Sequence, residues 1–133
     1  MEPTIRRLDD LEFHPLPGNP DVYHKQLLSR EESASLGLKL WRVLFERIDP
    51  GAAVLPHRHD VTEVIHFIRG EVHVLLGGRR SVCRPGDSLI VPSGVVHGVA
   101  NKGLEPSTQV SFFIPAADQG EFGRTEQVSG VEI

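Results

Sequence analysis

The stretch Gly51-Ala52-Ala53-Val54-Leu55-Pro56-His57-Arg58-His59-Asp60-Val61-Thr62-Glu63-Val64-Ile65-His66-Phe67-Ile68-Arg69-Gly70 sets the closely spaced His57, His59 and Glu63 between two glycines. A second stretch, Gly86-Asp87-Ser88-Leu89-Ile90-Val91-Pro92-Ser93-Gly94-Val95-Val96-His97-Gly98-Val99-Ala100-Asn101, carries His97 behind a Pro92-Ser93-Gly94 turn. The segments Ala53 to Arg58, Thr62 to Arg69, Ser88 to Val91 and Val95 to Asn101 are short and bounded by Gly, Pro, Asp or Asn. Such pieces read as strands. His57 and His59 are two apart and so leave a strand on the same face. Glu63 follows a short Asp60-Val61-Thr62 turn and hangs back over the same space. His97 arrives from a separate hairpin.

The same punctuation continues outward. Val72 to Leu76 and Arg80 to Cys83 flank Gly77-Gly78, a strong hairpin turn. Thr108 to Ile114 is stopped by Pro115, and Leu38 to Ile48 is stopped by Pro50-Gly51. In this last strand Trp41, Val43 and Phe45 share one face, and Leu40, Arg42, Leu44, Glu46 and Ile48 share the other. If the second face points inward, Arg42 and Glu46 are placed to hold a substrate carboxylate or proton; if outward, they form an ordinary cross-strand charge pattern. Residues 1 to 25 read as irregular, because Pro15-Leu16-Pro17-Gly18-Asn19-Pro20 cannot lie inside a helix. Arg30 to Ala34 reads as a short helical turn or loop. The tail from Ala116 to Ile133 reads as loop or as an edge segment packed through Val128 and Val131. The expected division is an arm and turn over 1–36, a barrel core over 37–115 and a tail over 116–133, all within one domain. Many short strands with almost no helical pattern give an all-β antiparallel sandwich or barrel.

Composition narrows the function. The chain has 133 residues, 39% of them hydrophobic, which suits one modest core. The formal charge of −4 comes from mixed signs with no basic stripe, which argues against nucleic acid as the main partner. No apolar run reaches membrane-spanning length, and Met1-Glu2-Pro3-Thr4-Ile5-Arg6-Arg7 lacks the apolar run of a signal peptide. Cys83 is the single cysteine, so no internal disulfide forms. It reads as a small packed thiol. The expected compartment is the cytoplasm.

Three imidazoles and one carboxylate, from His57, His59, His97 and Glu63, form a ligand set suited to one divalent transition metal ion: Fe, Mn, Ni, Zn or Cu. The set excludes Ca²⁺ and disfavours Mg²⁺. Four protein ligands leave a position for water or substrate on a five- or six-coordinate ion. Ile65 and Phe67 share the parity of Glu63 and are expected to line the pocket. Glu63 is also a candidate proton acceptor. His66 and His73 are expected on outer faces, and His14 and His24 in solvent. Asn101 is expected to fix a turn or a hydrogen bond behind His97.

Each of the two stretches fixes five residues, and chance produces either with a probability of roughly 10⁻⁴. Together they resemble the two conserved motifs of the cupin superfamily, with every fixed position filled. The resemblance covers residues 51 to 101 directly. It implies an antiparallel jelly-roll barrel, a homodimer and a metal-dependent enzyme acting on a small organic molecule. Members with this ligand set include dioxygenases, decarboxylases, isomerases and cyclases, and dioxygenase-type chemistry is the first to test. The alternatives are a non-redox metal-dependent isomerase, cyclase or decarboxylase, and a non-catalytic small-molecule sensor. One fold hosts many chemistries, so the site must decide.

Overall fold

A computed structural model describes residues 1–133, and nearly all of its regular structure lies in two antiparallel sheets. The elements are β1 (His14–Pro15), β2 (Val22–Leu28), α1 (Arg30–Ser35), β3 (Arg42–Ile48), β4 (Ala53–His59) and β5 (Thr62–Arg69). They continue with β6 (Val72–Leu76), β7 (Arg79–Cys83), β8 (Ser88–Val91), β9 (His97–Ala100), β10 (Ser107–Ile114) and β11 (Thr125–Gln127). The larger sheet runs β1-β2-β3-β10-β5-β8 and the smaller runs β11-β4-β9-β6-β7. Consecutive strands thus pass between the sheets, as β3 to β4 and β4 to β5 do, giving a jelly-roll barrel.

The core follows from alternation. Along β10 the residues Ser107, Gln109, Ser111 and Phe113 are buried while Phe112 and Ile114 are exposed. Along β5 the buried set is Glu63, Ile65 and Phe67. Side chains two apart face the same way, so each strand contributes one inward row. Val22, Ile48, Ile65, Phe67 and Val91 from the larger sheet meet Val54, Val72, Val74, Cys83 and Val99 from the smaller one. Gly70 ends β5 with φ of +86°, and a Cβ there would lie 3.0 Å from the Ser107 Cβ. Both the turn and the close approach of β10 demand glycine at that position.

Two expectations are corrected. Residues 1 to 25 are not irregular throughout: β2 begins at Val22 and pairs along β3, from Val22 opposite Ile48 to Leu28 opposite Val43. Its polar sequence hides it, because Tyr23 and Lys25 lie on the outer face and only partners in β3 define the inner one. The strand expected over Leu38 to Ile48 starts at Arg42. Trp41 precedes it and turns inward instead of joining Val43 and Phe45 outside. Of the two readings of the tail, the edge segment is borne out, since β11 pairs with β4 as an edge strand. The helical turn is borne out by α1, which a capping box opens: Glu32 N–H donates to Ser29 Oγ and Ser29 N–H donates to Glu32 Oε1, each at 3.0 Å. Arg6 Nη1 and Nη2 donate to the two Glu32 oxygens at 3.0 and 2.6 Å, pinning the arm.

Candidate metal centre

The strand that carries His57 and His59 does not run straight. Val54 pairs with Val99 and His57 pairs with His97, so β4 holds one residue more than β9 across the interval. The extra residue sits at Leu55-Pro56. Proline has no N–H to give a neighbouring strand, and such a position suits a bulge. The bulge resets the parity of β4. Val54 faces the cavity before it, and His57 and His59 face the same cavity after it. Glu63 enters from β5 on the opposite sheet. His97 opens β9 after Gly94, whose φ is +83° and whose N–H donates to the His59 carbonyl at 2.8 Å. That bond ties the second stretch to the first.

The four side chains converge as expected. His57, His59, Glu63 and His97 are all buried, and their ligand atoms lie within 4.8 Å of one another. His57 Nε2 is 3.0 Å from His59 Nε2. Glu63 Oε1 is 3.1 Å from His59 Nε2 and 2.8 Å from His97 Nε2. The outer nitrogens are all engaged. His57 Nδ1–H donates to the Leu55 carbonyl at 2.7 Å, and His97 Nδ1–H donates to the Val95 carbonyl at 2.9 Å. His59 Nδ1 is 2.8 Å from Thr125 Oγ1. With Nδ1 carrying the proton, a neutral imidazole turns its Nε2 lone pair inward. Lone pairs and a carboxylate crowded at one buried point need a cation among them. The residues therefore fit a divalent metal ion, and this group could hold one.

Without an ion, protons take that place. Burial alone would raise the Glu63 carboxyl, but hydrogen bonds from His59 and His97 and their charges outweigh it and hold it well below the usual range. His97 moves the other way: burial lowers it, and the bond to Glu63 and the Glu63 charge raise it above the ordinary histidine value. Burial, then the charges of His97 and His59, push His57 down to about 4. One member of the cluster is thus kept neutral and ready to ligate.

The cluster forms one wall of a cavity of about 460 Å³, within the range of small-molecule sites. Ile65 lines it as expected. Phe67 does not: one turn of the alternation deeper, it lies in the core at 1% exposure. Parity gave its face correctly but could not give its depth. Arg42 and Glu46 point inward and line the cavity with Gln109 and Phe113 of β10. Glu46 accepts from Ser111 Oγ at 2.5 Å and Gln109 Nε2 at 3.4 Å. Burial first, and then the Glu63 charge, raise its carboxyl to about 7 against those two hydrogen bonds.

Sequence reasoning missed Trp41, Gln109, Phe113, Thr125 and the Leu16–Asn19 loop as cavity walls. The parity of β10 carried a signal for Gln109 and Phe113. Nothing in the sequence marked Thr125, which reaches His59 only because β11 adds to β4. His24 is also corrected: it is half-buried, with an unpartnered Nδ1. Asn101 fixes a turn, as its Nδ2 donates to the Ile48 and Glu105 carbonyls and its Oδ1 accepts from Gly103 N–H. Cys83 is buried in the core and His66 is exposed, as expected.

A profile of the cupin domain matches residues 44–113, more than half of the chain, and the protein belongs to the cupin superfamily. Its fold is similar to that of a predicted oxalate decarboxylase from Thermotoga maritima, at 21% identity and a TM-score of 0.78, over 85% of this chain and 100% of that one. It is similar to the polyketide cyclase RemF from Streptomyces resistomycificus, at 19% identity and a TM-score of 0.77, over 99% of this chain and 89% of that one. KdgF from Halomonas sp. matches at 23% identity and a TM-score of 0.69, over 86% and 97% of the two chains. At these identities the likeness speaks for the fold. No curated protein matches the sequence. No helix is long and apolar enough to cross a membrane.

Proposed function

We propose that this protein is a metal-dependent enzyme that transfers protons on a small oxygenated organic molecule, an isomerase, cyclase or lyase. The observation that carries the reading is the pairing of two kinds of group in one cavity: the four-residue ligand cluster and the separate buried carboxyl of Glu46. A bound divalent ion would supply Lewis acidity, lowering the pKa of an oxygen or an adjacent C–H of the substrate. His57, His59, Glu63 and His97 would hold it.

Glu46 supplies the proton acceptor and donor. A group poised near neutral pH exchanges protons most efficiently at that pH. Ser111 and Gln109 fix its orientation, and the cavity wall keeps bulk water from it. Glu63, the earlier candidate acceptor, is engaged by two histidines and held far from neutral, which favours Glu46 for the proton-transfer role. A cation beside Glu63 would cancel part of the charge that raises Glu46 and leave burial as the main lift.

A second reading is dioxygenase chemistry, favoured by a donor set that also suits Fe²⁺ and Mn²⁺. The deciding experiment incubates protein loaded with Zn²⁺, Mn²⁺ or Fe²⁺ with a panel of diketones, oxo acids and catechols. It follows deuterium uptake into substrate carbon alongside oxygen consumption. The proposal expects deuterium uptake without oxygen consumption, lost in Glu46→Gln while ion stoichiometry is unchanged. Oxygen consumption insensitive to Glu46→Gln favours the dioxygenase. A chain that neither carries nor gains an ion refutes both.

A further inference from the structure

No hydrogen bond or salt bridge within the chain engages the Arg42 guanidinium. Its Nε is buried without a hydrogen-bond partner. The salt bridges of the protein engage Arg6, Arg47, Arg58, Arg69 and Arg84, together with His59 and His97, and leave Arg42 out. Burial pulls its pKa down despite the nearby Glu46 and Glu63 charges. A buried guanidinium nitrogen with no partner is costly unless an acceptor completes it.

The side chain is held in place. Its Cζ lies 4.4 Å from the Trp41 ring centre and 4.6 Å from the Phe113 ring centre. The two rings meet edge to face at 5.2 Å. Both also pack edge to face on His59, at 5.7 and 5.1 Å. Arg42 therefore stands one aromatic ring away from the histidine cluster, on the wall of the same cavity. Stacking fixes the plane of the guanidinium, and a fixed plane is what two-point recognition of a carboxylate needs.

We propose that Arg42 binds the carboxylate of the cavity's ligand, and that the ligand is a small carboxylic acid bound as its anion. A second oxygen function on the acid would face the histidine cluster. The inference deepens the reading of this cavity as an enzyme site and rests on it for that second contact. The cavity volume limits the acid to a small skeleton.

The test needs no identified substrate. Trp41 is the only tryptophan and lies against Arg42, so its fluorescence reports occupancy of that wall. The full chain, metal-free and loaded with Zn²⁺, is titrated with acetate, pyruvate, malonate and succinate, and with the matching amides. Trp41 fluorescence and calorimetry are the readouts. At least one carboxylate should saturate and bind ~10-fold or more tightly than its amide, since the amide cannot accept both guanidinium bonds as an anion does. Arg42→Gln should remove that preference, and Arg42→Lys should keep part of it. Carboxylates that give no saturable response, or amides that bind equally well in the unaltered chain, overturn the proposal without any variant having to fold. A preference that survives Arg42→Gln overturns it as well. If the chain takes up no Zn²⁺ yet shows the Arg42-dependent preference, the metal-enzyme reading fails and the anion site stands. If Zn²⁺ binds and the preference is absent, the reverse holds.

Discussion

Occupancy of the histidine cluster should raise the melting temperature by an amount that can be worked out. His57 and His59 come from β4 and His97 from β9 in the smaller sheet, while Glu63 comes from β5 in the larger one. An ion bound by all four ties the sheets together, and the unfolded chain has no equivalent site. Native-state binding then stabilises by about 2.7 kcal/mol when free ion exceeds Kd a hundredfold. A chain of this length has an unfolding entropy of about 0.28 kcal/mol/K near Tm, so the melting temperature should rise by ~10 °C. His97 is fully buried and contacts Glu63 at 2.8 Å. His97→Ala removes a ligand and should leave the shift near zero at the same ion concentration. It should also lower the Tm of metal-free protein, because Glu63 loses its closer partner and stays buried. Scanning calorimetry with Zn²⁺ and with chelator, paired with elemental analysis after dialysis, measures both effects. The reasoning is refuted if the unaltered protein keeps the same Tm across a hundredfold range of Zn²⁺ and retains no ion. It is also refuted if His97→Ala shifts as much as the unaltered protein.

Thr125 is exposed yet holds His59 Nδ1 at 2.8 Å; Thr125→Val should weaken metal binding about 10–100-fold with little loss of stability, checked by competition with a chromophoric chelator. Glu46 has a folded-state pKa raised to about 7 from 4.5, so its contribution is complete below the unfolded value and is lost as pH rises through about 7. Metal-free protein compared with Glu46→Gln should therefore show a stability difference that grows in favour of the variant between pH 4.5 and 7, measured by urea unfolding. Leu44 is 1% exposed and packs with Val61 and Phe113 beneath the aromatic wall. Leu44→Ala should cost about 2–5 kcal/mol in the same urea assay.

Local rules carried the strands and the ligand set a long way. Thr62–Arg69, Val72–Leu76 and Ser88–Val91 stand where their β-branched runs and flanking glycines and prolines place them. These cues act over a few residues, and sequence displays them directly. The strand Val22–Leu28 has no such signature, and pairing with β3 defines it. Phe67 and Ile65 share a face, yet one is core and the other cavity wall, because depth depends on what the opposite sheet supplies. Trp41 defied its expected parity because β3 starts one residue after it.

Residue identity and spacing by themselves determined that three imidazoles and a carboxylate belong together on a β framework, because period-two alternation and turn residues fix which side chains share a face. The tertiary structure decided everything that depends on contact across the chain. It brought Glu63 from one sheet to the histidines of the other, and it laid Thr125 beside His59. It also turned Arg42 and Glu46 into the cavity with Trp41 and Phe113 around them. Spacing along the chain is a local property. The charge, burial and partner of a side chain are set by neighbours that are distant in sequence, and only folding supplies those.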